Sequence, residues 1–307
     1  MEEVLSVIPL NIAEKIQALP TDLKDHIEEI RIRINRPLEV TINGNPQFLS
    51  YTVTNNDAEL LINKLAQHSF YTLEEELKRG YITIDGGHRV GLAGKVILEA
   101  GRVKAIRHLS SFNIRIAREK PGISEKLLPY LFKNQWKHTM IIGSPQTGKT
   151  TLLRDIARMI STGIPDENIL PQKVGIVDER SEIAGCVNGV PQLHFGPRVD
   201  ILDACPKAEG MMMLIRSMSP DVIVVDEIGR EEDGQAILEA VNAGITLIMT
   251  THGSSFEEIK QRPFIKDIVE LHTIERYIEL KRGQAPGAIT NIKDQWGNSL
   301  VHKVGVT

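Results

Sequence analysis

The stretch Gly143-Ser144-Pro145-Gln146-Thr147-Gly148-Lys149-Thr150 constrains the fold more than any other part of this 307-residue chain. It has the spacing G-x-x-x-x-G-K-[ST], in which backbone N–H groups converge on phosphate oxygens. So close an approach needs glycine, because a Cβ would stand in the way. Lys149 adds a point charge for the β- and γ-phosphates, and the Thr150 hydroxyl offers a ligand to Mg²⁺. Before the loop, Thr139-Met140-Ile141-Ile142 reads as a short buried strand. After it, residues 151–160 place apolar side chains at helical spacing. Strand, glycine loop and helix together aim a helix N-terminus at an anion. The expectation is a nucleotide site built from Gly143, Ser144, Pro145, Gln146, Thr147, Gly148, Lys149, Thr150 and Thr151.

Other apolar runs end in polar residues of the right kind. Val222-Ile223-Val224-Val225 has the β-branched character of a strand buried on both faces, and Asp226-Glu227 follows it. An Asp at that position is expected to hold Mg²⁺, with Glu227 orienting or deprotonating the attacking water. Val174-Gly175-Ile176-Val177 runs into Asp178-Glu179-Arg180-Ser181-Glu182. Acids there lie at the carboxyl edge of a parallel sheet, where such folds bind ligands. Ile245–Met249 leads to Thr250-Thr251-His252, with His252 the candidate sensor of the γ-phosphate. Arg198 and Arg216 are further phosphate candidates, and the run Met211-Met212-Met213 reads as helix core. Strands of this kind, each followed by a helix-length segment, make an α/β fold with a parallel sheet and helices on both sides. Residues 123–137 are expected to form a helix leading into the loop strand. A helix broken at Pro263 covers 256–271, and 273–280 and 289–293 read as edge strands.

The first 120 residues have another pattern. Residues 10–30 suggest two short helices around Pro20, and Ile30-Arg31-Ile32-Arg33-Ile34 alternates as a half-buried strand does. Strands at 37–42 and 47–53 flank the Asn43-Gly44 turn, a helix covers 56–79, and short strands follow. This is a smaller α+β domain, 1–120, ahead of a domain at 121–307. From Lys78 to Lys120, Lys and Arg outnumber Asp and Glu. Arg31, Arg33, Arg89, Arg107, Arg115 and Arg118 should mostly share one face, where they are candidates to reach phosphate.

The overall balance excludes some classes. A net charge of −4 gives no global reason to expect nucleic-acid binding. Two cysteines, Cys186 and Cys205, are too few for a disulfide framework and fit a reducing cytoplasm. The start Met-Glu-Glu lacks a signal-peptide pattern, and no apolar run reaches the ~18 residues of a membrane helix. Docking on a membrane stays open.

The order of these segments resembles the Walker A, Asp box, Walker B and His box of the type II/type IV secretion ATPases. The likeness covers most of 139–253. Glu29–Val40 and Gly87-His88-Arg89-Val90-Gly91 extend it over essentially the whole chain, toward a sporulation branch of that family. The resemblance implies a RecA-like P-loop ATPase domain and a homo-hexameric ring using ATP and Mg²⁺. It also implies membrane-protein partners in a secretion-like sporulation complex and a cytoplasmic place in the mother cell. Carried over by position, Arg89 and Arg115 match arginines that reach the phosphates, Glu179 or Glu182 the Asp-box acids, and His252 the His box. Two departures stand out. Many relatives have Gly-Glu where this chain has Asp226-Glu227, and the Asp box reads Asp-Glu-Arg-Ser-Glu rather than Glu-Asp-Pro-x-Glu. Glu227 is the favoured water-activating acid, with Glu179 second. The rival functions are a nucleic-acid or pilus motor and a nucleotide-gated scaffold with little turnover.

Overall fold

The computed structural model describes residues 1–66, 76–283 and 287–301. The chain divides into two compact units, Met1–Arg118 with Gly185–Gln192, and Glu119–Ala184 with Leu193–Thr307.

In the first unit, α1 (Glu2–Val7), α2 (Leu10–Gln17) and α3 (Thr21–Lys24) precede β1 (Ile27–Arg33), β2 (Pro37–Ile42) and β3 (Asn45–Thr52). Then come α4 (Asn55–Ala66), β4 (Tyr81–Ile84), β5 (His88–Glu99) and β6 (Arg102–Arg115). Residues 67–75 of the helix expected over 56–79 lie outside the described residues. The strands form one antiparallel sheet in the order β3-β2-β1-β6-β5-β4. Alternation decides the faces. Ile30, Ile32, Val40, Val90, Phe112 and Ile114 point to one side and are buried with Val4, Ile8, Ile12, Ile16 and Leu61 from the helices. The intervening residues Glu29, Arg31, Arg33, Glu39, Arg89 and Arg115 share the other side, as the register Arg89↔Arg115, Glu29↔Arg115 and Arg31↔Glu39 requires.

The excursion Gly185–Gln192 joins this unit although it is flanked in sequence by the second. Gly185 has φ 58°, and a Cβ on it would meet the Cα of Gly87 at 2.8 Å. Only glycine allows that approach. The Gly86 N–H also donates to Gln192 Oε1 at 3.3 Å.

The second unit begins with α5 (Leu128–Leu131), β7 (Phe132–Lys133) and β8 (Gln135–Trp136), followed by β9 (Thr139–Gly143) and α6 (Lys149–Thr162). Next are β10 (Val174–Asp178), β11 (Val199–Asp203), α7 (Lys207–Ser217), β12 (Val222–Val225), α8 (Glu231–Asn242) and β13 (Thr246–His252). The chain ends through α9 (Phe256–Ile259), α10 (Pro263–Glu270), β14 (Arg276–Lys281) and β15 (Ala288–Asp294). The sheet order is β11-β10-β12-β13-β9-β14-β15, parallel except for β15 against β14. β14 is therefore an interior strand, not the edge strand its sequence suggested; of the two strands expected at an edge, only β15 lies there, and β11 forms the opposite edge.

Each central strand supplies two cores. Met140, Ile142, Ile223, Val225, Leu247 and Met249 pack with α7 to α10. Ile141, Val222, Val224 and Ile248 pack with Leu152, Leu153, Ile156 and Ile160 of α6 on the opposite face. This two-sided burial is why the strands read as unbroken apolar runs.

The single helix expected over 123–137 does not form. Pro129 is tolerated near the start of the short α5, and Asn134, at φ 68°, turns the chain into the β7–β8 hairpin. The hairpin buries Trp136, whose ring meets Phe132 edge-on at 5.2 Å between centroids. Burial of that indole outweighs the helical periodicity of the segment.

Candidate functional site

The second sheet gathers the chemistry at one edge. Register places Gly143 beside His252, and Val225 beside Met249 and Val177, so Asp178, Asp226, Thr250 and His252 all emerge where parallel strands end. The loop from β9 to α6 is a tight turn. A Cβ on Gly143 would lie 2.4 Å from Thr147 Oγ1, while Gln146 at φ 65° and Gly148 at φ 88° reverse the backbone. Thr147 Oγ1 donates to the Ser144 carbonyl at 2.8 Å and fixes the turn. Ser144, Pro145 and Gln146 form its exposed crest. Thr151 lies in the first turn of α6, and no side chain caps that helix at Gly148. Its first N–H groups have no intrahelical partners and remain available to an anion.

Lys149 is buried, and Nζ reaches the Ser144 carbonyl at 3.2 Å and His252 Nδ1 at 3.3 Å. Burial pushes its ammonium below the ordinary lysine range, and the charges of Asp226 and Glu227 pull it back up. A buried cation beside two acids, with few hydrogen-bond partners, suits a loop that receives a polyanion.

Thr150 Oγ1 donates to Asp226 Oδ2 at 2.7 Å. Asp226 Oδ1 accepts from Thr250 Oγ1 and from the Glu227 N–H at 3.0 Å. A hydroxyl and a carboxylate meeting at the mouth of a phosphate loop are hard oxygen donors, which fit Mg²⁺ arriving with a nucleotide. Glu227 takes φ 55°, a left-handed conformation that costs a non-glycine residue about 1 kcal/mol or more. Its N–H also donates to Thr250 Oγ1 at 2.8 Å, which holds the turn. The strained backbone points the carboxylate to His252 Nε2 at 2.9 Å and Arg180 at 2.8 Å. Thus Lys149, Thr150, Asp226, Glu227 and His252 form one connected cluster. Arg180 and Thr250 complete it; the sequence marks Thr250 only as one of the polar residues at that strand end, behind His252, and gives Arg180 no role.

The Asp-box residues divide their roles. Asp178 is buried and accepts three backbone N–H bonds, from Glu182, Ile183 and Ala184 at 2.8–2.9 Å. Arg154 of α6 spans the same turn from the other side, donating to the Ile183 and Glu182 carbonyls. Glu179 is held by Lys207 and, at 3.9 Å, by Arg230. Asp178 therefore anchors the loop. The three N–H groups come from residues only four to six positions further on, and the folded turn is what brings them onto one carboxylate.

Burial pushes the Asp178 carboxyl up to about 6, against the pull of the N–H groups that it accepts. A folded value above the unfolded one, ~3.9, means that proton binding favours the fold. The resulting stabilisation is complete below about pH 4 and is lost as pH rises through about 6. With a shift of roughly two units, the swing is about 3 kcal/mol. The stability of the wild type relative to Asp178→Asn should fall by that order between pH 4 and pH 7 in denaturant titrations. Parallel pH profiles for the two proteins would refute the assignment.

Arg198 and Arg216 do not join the site. The Arg198 carbonyl accepts the N–H of Val174, the first residue of β10, so Arg198 stands at the amino edge of the sheet, with its side chain on Pro171. Arg216 ends the helix that returns to the start of β12. Both are at the opposite edge from the loop. Arg89 and Arg115 belong to the first unit, side by side on its polar face, with Arg89 stacked 3.5 Å over the Tyr81 ring. Glu29 and Glu39 tie the row together: part-buried pairs join Arg31 to Glu29 and Arg33 to Glu39, while Arg115 stands 3.6 Å from Glu29 and is 60% exposed.

The fold is similar to that of the Yersinia pseudotuberculosis ATPase DotB, with TM-score 0.58 and 17% identity over 96% of this chain and 78% of that one. It is also similar to the pilus retraction motor PilT bound to ADP, with TM-score 0.58 and 16% identity over 90% and 77%. At such identities the likeness is one of fold, a P-loop α/β domain with a mostly parallel sheet, preceded in the chain by an antiparallel α+β unit. In sequence, the chain is 56% identical over 306 residues to the stage III sporulation protein AA of Bacillus subtilis (strain 168), covering 100% of this chain and 99% of that protein. The model of the family described as sporulation stage III, protein AA matches residues 1–300. This chain belongs to that family.

Proposed function

We propose that this protein binds MgATP at Gly143–Thr150 and hydrolyses it, as the ring-forming motor of a sporulation-associated, secretion-like membrane complex. The observation that carries the reading is the cluster at the carboxyl edge of the second sheet. There, Thr150 and Asp226 share a hydrogen bond, Lys149 is buried under an uncapped helix start, and Glu227 stands against His252. Relatives by fold are described as an ATPase and as a pilus retraction motor, which supports a motor. The sporulation setting comes from the family.

In this reading the N–H groups from Ser144 to Thr151 and the Lys149 ammonium cradle the phosphates. Thr150 and Asp226 would hold Mg²⁺, which would supply positive charge against the negative charge that develops on the phosphates. Glu227 orients a water and takes its proton as the water oxygen bonds to γ-phosphorus and the bond to the ADP oxygen breaks. His252 lies between Glu227 and Lys149 and senses the γ-phosphate. Glu179 and Glu182 keep the catalytic part that the Asp-box likeness gives them, with Glu179 second to Glu227 as the acid that activates water. Arg89 and Arg115 supply positive charge to the phosphates from the first unit, in the same chain or a neighbouring one.

Among the described residues no helix is long and apolar enough to cross a membrane. The proposed place is the mother-cell cytoplasm, docked peripherally on membrane proteins. The test is phosphate release from ATP, measured together with mass. Turnover that requires Mg²⁺ and rises with assembly is expected. Arg89→Ala and Arg115→Ala should bind ATP normally and lose about 10³-fold or more in rate. Absence of turnover in an assembled wild type would leave only the gated-scaffold alternative. Unchanged rates in the arginine variants would remove them from the site.

A further inference from the structure

β5 and β6 continue beyond their own sheet. β1 pairs β6 only over Ser111–Arg115, and β4 pairs β5 only over His88–Gly91. Among the described residues, the strands from Lys95 to Arg107 bond only to each other. The ribbon leaves the sheet at a bulge, where the register shifts between Ala93 and Lys95 and His108 takes φ 49°. A Cβ on Gly94 would sit 2.6 Å from the Arg107 carbonyl oxygen, so glycine permits the bend. An isolated two-stranded ribbon is marginal in water. This one also presents Val96, Leu98 and Val103 at 48%, 63% and 47% exposure. Val96 and Leu98 share a face of β5, and Val103 is the cross-strand partner of Leu98. The stripe is bordered by Lys95, Lys104 and Arg107, with Glu99 the opposing charge.

The second unit carries a surface of the opposite character. Between α7 and α8 lies an open groove of about 950 Å³ that includes the exposed Met213 and Leu238. Glu209, Glu232 and Glu239 line it, against the single basic Arg216. A methionine-bearing groove adapts to aliphatic side chains, and its acidic lining selects a basic partner.

We propose that the α7–α8 groove of one copy receives the Lys95–Arg107 ribbon of a second copy. Apolar stripe meets apolar floor, and lysines and arginine meet glutamates. Because ribbon and groove are different patches, the contact is head to tail. It can repeat and close into a ring. This deepens the self-assembly proposed above and is independent of hydrolysis.

The test uses the full chain and measures mass by sedimentation with Mg²⁺ and a non-hydrolysable ATP analogue. Arm reversal (Lys95→Glu, Lys104→Glu, Arg107→Glu) and groove reversal (Glu209→Lys, Glu232→Lys, Glu239→Lys) should each weaken assembly about 100-fold. Combining both sets in one chain should restore it, an outcome that misfolding cannot mimic. In a Cys205→Ser background, Leu98→Cys mixed with Leu238→Cys should give disulfide-linked pairs that neither protein forms alone. If wild type assembles and neither reversal changes its mass, the docking inference fails while the ring reading stands. A wild type that stays monomeric at every concentration overturns both. Loss of binding to phosphatidylglycerol–phosphatidylcholine vesicles by the arm reversal, with mass unchanged, would assign the ribbon to a lipid surface and overturn the inference.

Discussion

Glu227→Gln should bind MgATP as tightly as the wild type and turn it over about 10²-fold to 10⁴-fold more slowly, the range lost with a general base. The substitution preserves shape but removes the negative charge, and with it one acceptor oxygen and the ability to take a proton. The backbone that presents residue 227 depends on its N–H bonds to Asp226 and Thr250, which glutamine keeps. Glutamine can still accept from either His252 or Arg180, so the neighbouring Lys149–His252 contact should persist. Binding by isothermal titration and rate by phosphate release separate the two effects. Glu179→Gln is the control, because Glu179 is already engaged by Lys207 and Arg230. Equal losses from the two variants, or a Glu227→Gln enzyme of normal rate, would shift the proposed base away from residue 227.

What the sequence discloses follows from whether a feature is local. Val222–Val225 reads as a central strand because both of its faces are buried, so no polar residue interrupts the run. Gly143 and Gly148 are legible because a turn this tight excludes other residues. β11 is not legible: Val199–Asp203 is half-buried throughout and carries two aspartates, so neither alternation nor an apolar run marks it. Arg180 gives no local sign of its pairing with Glu227, since the two meet only after β10 and β12 align. The same holds for Gly185–Gln192, which one close glycine–glycine approach ties to the first unit. The arginine row was visible as alternation on β1 and as scattered residues elsewhere. Register is what makes Arg89 and Arg115 neighbours.

Lys149→Ala should weaken nucleotide binding about 100-fold while leaving the fold intact or slightly more stable. Charge-assisted hydrogen bonds contribute about 1.5–3 kcal/mol each, and losing the one or two that a lysine makes to phosphates removes roughly 3 kcal/mol. At 1.4 kcal/mol per decade this is about two decades in Kd. The stability half of the prediction comes from burial. Lys149 is 6% exposed, and desolvation dominates the downward push on its ammonium. Its Nζ has a 3.2 Å carbonyl contact and a 3.3 Å contact to His252, modest compensation for a buried charge. A residue that costs stability in the empty site and returns it when phosphate arrives is placed there for the ligand. Wild type should therefore gain markedly in melting temperature on adding MgATP, and Lys149→Ala should not. If the variant still binds within a few-fold of wild type, the Gly143–Thr150 loop is not the phosphate site. If it unfolds instead, Lys149 holds structure through Ser144 and His252.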